Sequence, residues 1–158
     1  MKASKLSVAL ALASTAALLA SGLANADTVN VTVTANISGV CKFTSGQTPT
    51  VTIANSAGNI DPSLAGPANG SANVTYQCTK GTAPTFTVPT PATITCTTSG
   101  TCGSTTMAPV MGFTSGGSGT GFGAAALTLV VTGQLTQAQY QNMQAGTYTG
   151  TEVVTVTP

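Results

Sequence analysis

The stretch VNVTVTANIS at residues 29–38 decides the fold class of this chain. Val, Ala or Ile fills every odd position of the stretch, and Asn, Thr or Ser fills every even position. Successive side chains of a β-strand point to opposite faces, so the alternation predicts a strand with one buried and one solvated face. The apolar face comprises Val29, Val31, Val33, Ala35 and Ile37.

The same alternation recurs along the chain, and Gly, Pro, Asn and Asp mark the turns between the alternating runs. Several short strands separated by turns are typical of an all-β sandwich. Residues 134–145 fit either a short helical turn ended by Gly146 or a loop. The further strands predicted from the alternation are residues 50–54, 72–79, 85–88, 92–97, 110–114, 125–132 and 148–157.

The N-terminus has the pattern of a secretory signal. Lys2 and Lys5 supply the charged start, residues 6–20 the apolar stretch, and residues 24–26 an A-x-A cleavage site. The apolar stretch is short and rich in Ala and Ser, so it is not expected to span a membrane. We therefore expect an exported protein with a signal peptide at residues 1–26, an alternating strand at 27–40 and one β-sandwich domain at 41–158.

Charged side chains are sparse after residue 26. Two lysines oppose three carboxylates there, which makes the net charge −1. Nucleic acid and anionic membranes are bound by clustered Lys or Arg, so we expect no nucleic-acid partner and no membrane insertion. The charged residues are Lys42, Lys80, Asp27, Asp61 and Glu152.

The four cysteines indicate a disulfide framework, because all of them follow the signal of an exported chain. Three pairings of Cys41, Cys78, Cys96 and Cys102 are possible. Cys96 and Cys102 flank a short polar segment, so a bridge between them closes a small loop at low entropic cost and leaves Cys41 to pair with Cys78. We favour this pairing over the other two. A zinc site is disfavoured because neither spacing is C-x-x-C and the chain has no histidine.

Residue types for acid–base catalysis are nearly absent. Without histidine, neither a Ser-His-Asp nor a Cys-His arrangement can be built. A carboxylate pair would have to join Asp61, in a predicted loop, to Glu152, in the last predicted strand. The glycine-rich run at residues 116–123 lacks the lysine and following helix of a phosphate-binding loop. We therefore predict that the protein is not an enzyme and uses no cofactor or metal.

Three motifs follow one another along the chain. The first is the alternating stretch that runs into a cysteine at residues 29–41, and the second is VTYQCT at residues 74–79. The third is the closing segment GTYTGT at residues 146–151, followed by a Val/Thr strand. In this order the motifs resemble the spore coat protein U domain family, which is shared with the subunits of archaic chaperone-usher pili. The chain departs from the family pattern at Gly150, where Asp is usual, and at Pro158, where an aromatic residue is frequent.

The resemblance implies an immunoglobulin-like, pilin-like β-sandwich that is incomplete because its last strand is missing. In this family a periplasmic chaperone first fills the gap, and the N-terminal extension of the next subunit then replaces it by β-augmentation. The implied donor-strand residues are Val29, Val31, Val33, Ala35 and Ile37. The implied chaperone-binding strand at the groove edge contains Tyr148, Val154, Val156 and Pro158.

The resemblance also implies partners and a location. The partners would be other pilin-like subunits, in a homo- or heteropolymer, together with the periplasmic chaperone and an outer-membrane usher. The subunit would cross the periplasm and end in an extracellular surface fibre that serves adhesion or biofilm formation.

Two alternatives stay open on the sequence alone. Residues 29–37 fit a donated strand and equally fit an ordinary first strand within its own domain, because both need the same alternation. A self-complete secreted β-sandwich that binds carbohydrate or another ligand as a monomer is the alternative function. Carbohydrate sites commonly use exposed aromatic residues, of which this chain has few.

Overall fold

The alternating runs form short antiparallel strands in the structure, a computed structural model that describes residues 28–88 and 92–158. The signal peptide predicted for residues 1–26 lies outside the described residues. One short helix, α1 (Gln137–Tyr140), lies within the segment for which a helical turn and a loop were both open. The strands are β1 (Cys41–Phe43), β2 (Ala68–Cys78), β3 (Thr85–Thr87), β4 (Ile94–Cys96), β5 (Thr106–Met107), β6 (Val110–Ser115), β7 (Leu127–Leu135), β8 (Tyr148–Thr149) and β9 (Thr155–Thr157).

The strands form three sheets. A four-stranded sheet has the order β1-β2-β7-β6, a two-stranded sheet pairs β3 with β9, and a three-stranded sheet has the order β5-β4-β8. All of these pairings are antiparallel. The prediction of an all-β protein is therefore confirmed for the described residues.

The centre of the protein is the long ladder between β2 and β7. Val74 lies opposite Leu129, and Tyr76 lies opposite Leu127. Burial alternates along β2 as its sequence alternates, because every second side chain turns to the interior. Tyr76 and Leu129 are fully buried, and each stabilises the fold by about 1.5–3 kcal/mol. The first core cluster consists of Val74, Tyr76, Cys78, Leu129 and Val131.

The two smaller sheets pack on opposite halves of the four-stranded sheet. Phe86 of β3 contacts the Tyr76 ring edge-on, with a centroid distance of 5.0 Å, so the β3–β9 sheet covers the first cluster. Ile94 of β4 and Tyr148 of β8 pack against a second cluster instead. The second core cluster consists of Ala68, Met107, Leu135 and Tyr140.

Disulfides join Cys41 to Cys78 and Cys96 to Cys102. These are the two pairs that the loop lengths favour. Cys41 and Cys78 lie directly opposite each other in the register of β1 and β2, with Cα atoms 4.1 Å apart. The first bridge therefore ties an edge strand to the central ladder, while the second closes a turn after β4.

The strand predicted for residues 50–54 is not formed. Ala54 makes an isolated bridge to Asn69, and the preceding residues cross over β2 and β7 at two glycines. A Cβ atom on Gly70 would overlap the carbonyl oxygen of Thr52, and one on Gly133 would crowd Ile53. Ile53 packs against the second cluster, although its segment has no partner strand.

The strand predicted for residues 148–157 forms as two short strands. Its first part, β8, pairs with β4, and its last part, β9, pairs with β3. Gly150 lies between β8 and β9, and a Cβ atom on it would overlap the carbonyl oxygen of Thr93. The closing segment therefore changes partner strand midway, which the alternation does not reveal.

Candidate functional site

The closing segment, taken from here on as residues 146–158, contains β8 and β9 and lies at the edge of two sheets. β9 is paired with β3 on one side, and β8 is paired with β4 on one side. Within the described residues, no strand pairs with the other side of either one. A strand edge without a ladder partner is where another strand can add.

β1 lies beside β9 but is not hydrogen-bonded to it as a strand neighbour. β1 is itself the edge of the four-stranded sheet. Gly39, just before β1, comes close to Pro158, since a Cβ atom on Gly39 would lie 3.7 Å from the Pro158 Cβ. We call β1, β9 and Val154 together the open edge.

Apolar side chains at the open edge are only partly buried. Val154 and Phe43 pack against the first cluster, and Val156 lies opposite Phe86 in the β3–β9 pair. The Phe43 and Phe86 rings have centroids 6.2 Å apart. Each of these side chains keeps some exposed surface, so covering the edge would bury more apolar area.

The structure brings three of the four predicted groove-edge residues together. Val154, Val156 and Pro158 belong to the last stretch of the chain, at or next to β9. Tyr148 lies elsewhere, because it is part of β8 and packs against the second cluster. Its hydroxyl donates a hydrogen bond to the carbonyl oxygen of Gln144 at 3.0 Å.

Glu152 has the same phase as Val154 and Val156 and is, like them, half-buried. Burying a carboxylate is costly unless it is hydrogen-bonded. Its Oε1 atom accepts a hydrogen bond from the backbone N–H of Thr93 at 2.9 Å. This bond explains how an acidic residue is accommodated on the inward face of the closing segment.

The predicted donor residues form no strand in the structure. Val33 is 87% exposed, and Val29, Val31 and Ile37 are each at least 76% exposed. Ala35 is also exposed. The chain divides into a unit Met1–Asn36 and a unit Ile37–Pro158, so most of the alternating stretch belongs to the first unit. The side chains of the predicted apolar face are therefore exposed in the structure, where a strand with one buried face was predicted.

The two candidate catalytic carboxylates occupy different elements. Asp61 lies in the loop at residues 55–67, whereas Glu152 lies in the closing segment. The Asp61 carboxylate accepts hydrogen bonds from the Ser63 hydroxyl at 2.6 Å and the Ser63 backbone N–H at 2.9 Å. These bonds lower the pKa of Asp61. Among the described residues, no group of three or more His, Cys, Asp or Glu side chains is arranged to hold a metal ion.

A second feature, not indicated by the sequence patterns, is the loop at residues 55–67. The buried Tyr140 hydroxyl donates to the carbonyl oxygen of Gly66 at 2.5 Å and accepts from the Asn55 side-chain amide at 3.1 Å. An open depression of about 600 Å³ lies along this loop, and Leu64 beside it is 42% exposed.

The described part of the chain contains no helix long and apolar enough to span a membrane. Comparisons of the chain with family models, with curated proteins and with solved structures gave no significant match.

Proposed function

We propose that the chain is a structural subunit of an exported bacterial surface fibre, assembled by donor-strand complementation. The observation that carries the proposal is the combination of an open edge with an exposed, alternating apolar segment on the same chain. The two features are complementary, because an open sheet edge binds an extended segment and alternate side chains of that segment fill the groove.

The strand order supports an immunoglobulin-like sandwich that lacks its last strand. Constant-type immunoglobulin domains have the strand orders ABED and CFG in their two sheets. With β1, β2, β6 and β7 read as A, B, D and E, the order β1-β2-β7-β6 is ABED. β3 and β4 then supply C, and β8 and β9 supply F. No described strand takes the place of G beside β8 and β9.

The open edge lies where strand G would add. A donated segment beside β9 would extend the β3–β9 sheet by backbone hydrogen bonds. Its alternate side chains would cover the half-buried Val154 and Phe43. This is β-augmentation with the apolar face of the donor turned inward.

The donor segment has enough apolar surface for a durable interface. Burying Val29, Val31, Val33 and Ile37 at about 1.5–3 kcal/mol each gives a gross gain on the order of 6–12 kcal/mol. Ordering the segment subtracts from this gain, and the backbone ladder adds to it. The contact between neighbouring subunits would therefore be long-lived.

The same reasoning assigns partners and a route. A periplasmic chaperone would cover the open edge before assembly, and an outer-membrane usher would export the subunit into the fibre. Other subunits of the same or a related kind would then exchange their N-terminal segments for the chaperone. The fibre would serve adhesion or biofilm formation at the cell surface.

The direct test is Val33→Asp, which places a carboxylate in the middle of the apolar face. An unpaired buried carboxylate costs more than the neighbouring apolar contacts recover, so we expect this variant to remain monomeric. Thr34→Asp is the matched control, because it adds the same charge to the polar face of the same segment. We expect wild type and the control to form large assemblies on gel filtration and SDS-resistant ladders on unheated gels.

A wild-type protein that is monodisperse and monomeric would rule out the fibre. In that case the alternative is a secreted monomer that binds a carbohydrate or another ligand. The observation that favours it is the depression along the 55–67 loop, whose walls Tyr140 holds in place. Chemical-shift changes at Leu64 on addition of sugars would support that function.

A further inference from the structure

β6 is the outermost strand of the four-stranded sheet at the end opposite β1, and no described strand pairs with its free side. β6 contains six residues, and among the described strands it is paired only with β7. Its sequence VMGFTS has no charged residue and no proline. Val110 at its start is 62% exposed. An edge strand of this kind presents a row of unpaired backbone groups to another chain.

The other edges carry the features that usually prevent such pairing. β1 is three residues long and contains Lys42. β9 is also three residues long and is followed by Pro158. β5 has two residues. Short length, lysine and proline are common protections of sheet edges, and the six residues of β6 include none of them; Pro109 directly precedes the strand and lies outside the residues that pair below.

We propose that β6 pairs antiparallel with β6 of a second copy of this chain, about a two-fold axis at Gly112. In this register Val110 lies opposite Thr114 of the second copy, and Met111 lies opposite Phe113 of the second copy. The four-stranded sheet then continues from one copy into the other. An isologous contact of this kind closes as a dimer and needs no further surface.

The side chains of β6 are self-complementary in this register. Met111 and Phe113 are half-buried on the inward face, and a thioether beside an aromatic ring is a favourable contact. Val110 and Thr114 are exposed on the outward face, where a β-branched pair packs well across strands. Gly112 places no side chain at the axis, and a Cβ atom there would crowd the Thr132 hydroxyl oxygen at 2.7 Å.

Electrostatics does not oppose a contact between two copies. The chain after residue 26 carries Lys42, Lys80, Asp27, Asp61 and Glu152, so the formal net charge of that part is only −1. None of these residues is in β6 or in its neighbour β7. A net charge near zero favours association of a protein with itself.

This contact is separate from the open edge, because β6 and β1 are at opposite ends of the four-stranded sheet. Both edges can therefore be occupied at once. One pair of six-residue strands makes a weak dimer, but repeated contacts along two fibres would add through multivalency. The result would be lateral joining of fibres.

Cysteine trapping tests the register in the full-length chain. Val110→Cys and Thr114→Cys would each be placed in a chain that also carries Val33→Asp, which removes end-to-end association. Both positions are exposed, so the fold is expected to be retained. Under mild oxidation, a mixture of the two variants should yield at least ten-fold more covalent dimer than either variant alone. Peptide mapping should show residue 110 linked to residue 114.

Thr132→Cys mixed with Thr114→Cys is the matched control, because Thr132 is exposed on β7 and not on the free edge. This mixture should give no more dimer than the single variants. Lys is not placed at position 111 or 113, because both side chains pack against the first cluster. Instead, Thr114→Lys is added to the Val110→Cys variant and Val110→Lys to the Thr114→Cys variant, so that two lysines at exposed positions lie opposite each other in the mixed dimer. This pair should reduce the trapped dimer several-fold.

The proposal is overturned if the 110 and 114 variants yield no more dimer together than separately. It is also overturned if the link joins other residues. Neither result depends on the donor segment, since Val33→Asp is present throughout. Failure of lateral pairing and failure of fibre assembly are thus measured separately.

Discussion

At the scale of single residues, two side chains organise the loop at residues 55–67. The Asn55 side chain accepts a hydrogen bond from the Asp61 backbone N–H at 2.7 Å and donates to the Asp61 carbonyl oxygen at 3.0 Å. Tyr140 reaches the same loop from α1. The hydrogen bonds of these two side chains thereby hold the long loop in place.

We expect Tyr140→Phe to lower the free energy of unfolding by about 1–3 kcal/mol. The substitution leaves the Gly66 carbonyl and the Asn55 amide without this partner, while the aromatic ring stays in the second cluster. Tyr148→Phe is the control, because the hydrogen bonds of its hydroxyl are exposed, and we expect it to cost less than about 1 kcal/mol. Urea denaturation measures both. Equal losses in the two variants would show that Tyr140 does not anchor the loop.

The Asp61 carboxylate should titrate below its ordinary pKa, because the Ser63 hydroxyl and the Ser63 N–H bond to its charged form. A carboxyl with a lowered pKa in the folded state contributes stability above its unfolded pKa of about 3.9 and loses it as pH falls through the folded value. NMR titration of the side-chain carboxyl carbon measures this pKa. Ser63→Ala should return it toward the ordinary value. An Asp61 pKa unchanged by Ser63→Ala would contradict this assignment.

At the scale of elements, the closing segment joins the two smaller sheets to the core. β8 pairs with β4, β9 pairs with β3, and Val154 packs on the first cluster. Glu152 holds the connection between the two strands through the Thr93 N–H. Loss of β9 would uncover Phe86 and remove the edge to which the proposed partner strand would add.

We expect deletion of residues 154–158 to abolish accumulation of the exported protein. The deletion removes β9 and the Val154 contact, so the first cluster loses cover and the proposed chaperone loses its binding strand. Immunoblots of periplasmic extracts measure accumulation. Val153→Ala is the control and should be tolerated, since the Val153 side chain is exposed. Normal export and folding of the chain without residues 154–158 would show that β9 is not needed to bind a partner.

At the scale of the whole molecule, the proposed fibre depends on a domain that folds without its N-terminal segment. The donor residues form no strand, and they are exposed. The two core clusters lie within the unit Ile37–Pro158. A chain that lacks the segment should therefore keep its fold and its open edge.

We expect a variant without residues 28–37 to bind a synthetic peptide of that sequence. Binding to the folded state alone raises thermal stability, and at saturating peptide the midpoint should rise by at least about 5 °C. The same peptide with Val33→Asp is the control and should produce no rise. Differential scanning fluorimetry measures the midpoint. A variant that is unfolded and is not rescued by the peptide would mean that the segment belongs to its own domain.

Strand content was largely predictable because alternation is a local signal. β2, β3, β4, β6 and β7 each overlap one of the segments predicted as strands. β5 has two residues, which is too short for a period of two to be visible. Segment 50–54 has the alternation without the ladder, because its place over Gly70 and Gly133 depends on residues far away in the sequence.

The sequence by itself determined the all-β class, since the period of alternation and the turn residues depend only on neighbours along the chain. It also favoured the pairing of the cysteines, because loop length is a property of the chain. Only the tertiary structure decided which edges stay open, since strand pairing is non-local. The same non-locality separates Tyr148 from Val154 and Val156, and leaves the most regular alternating stretch of the sequence exposed.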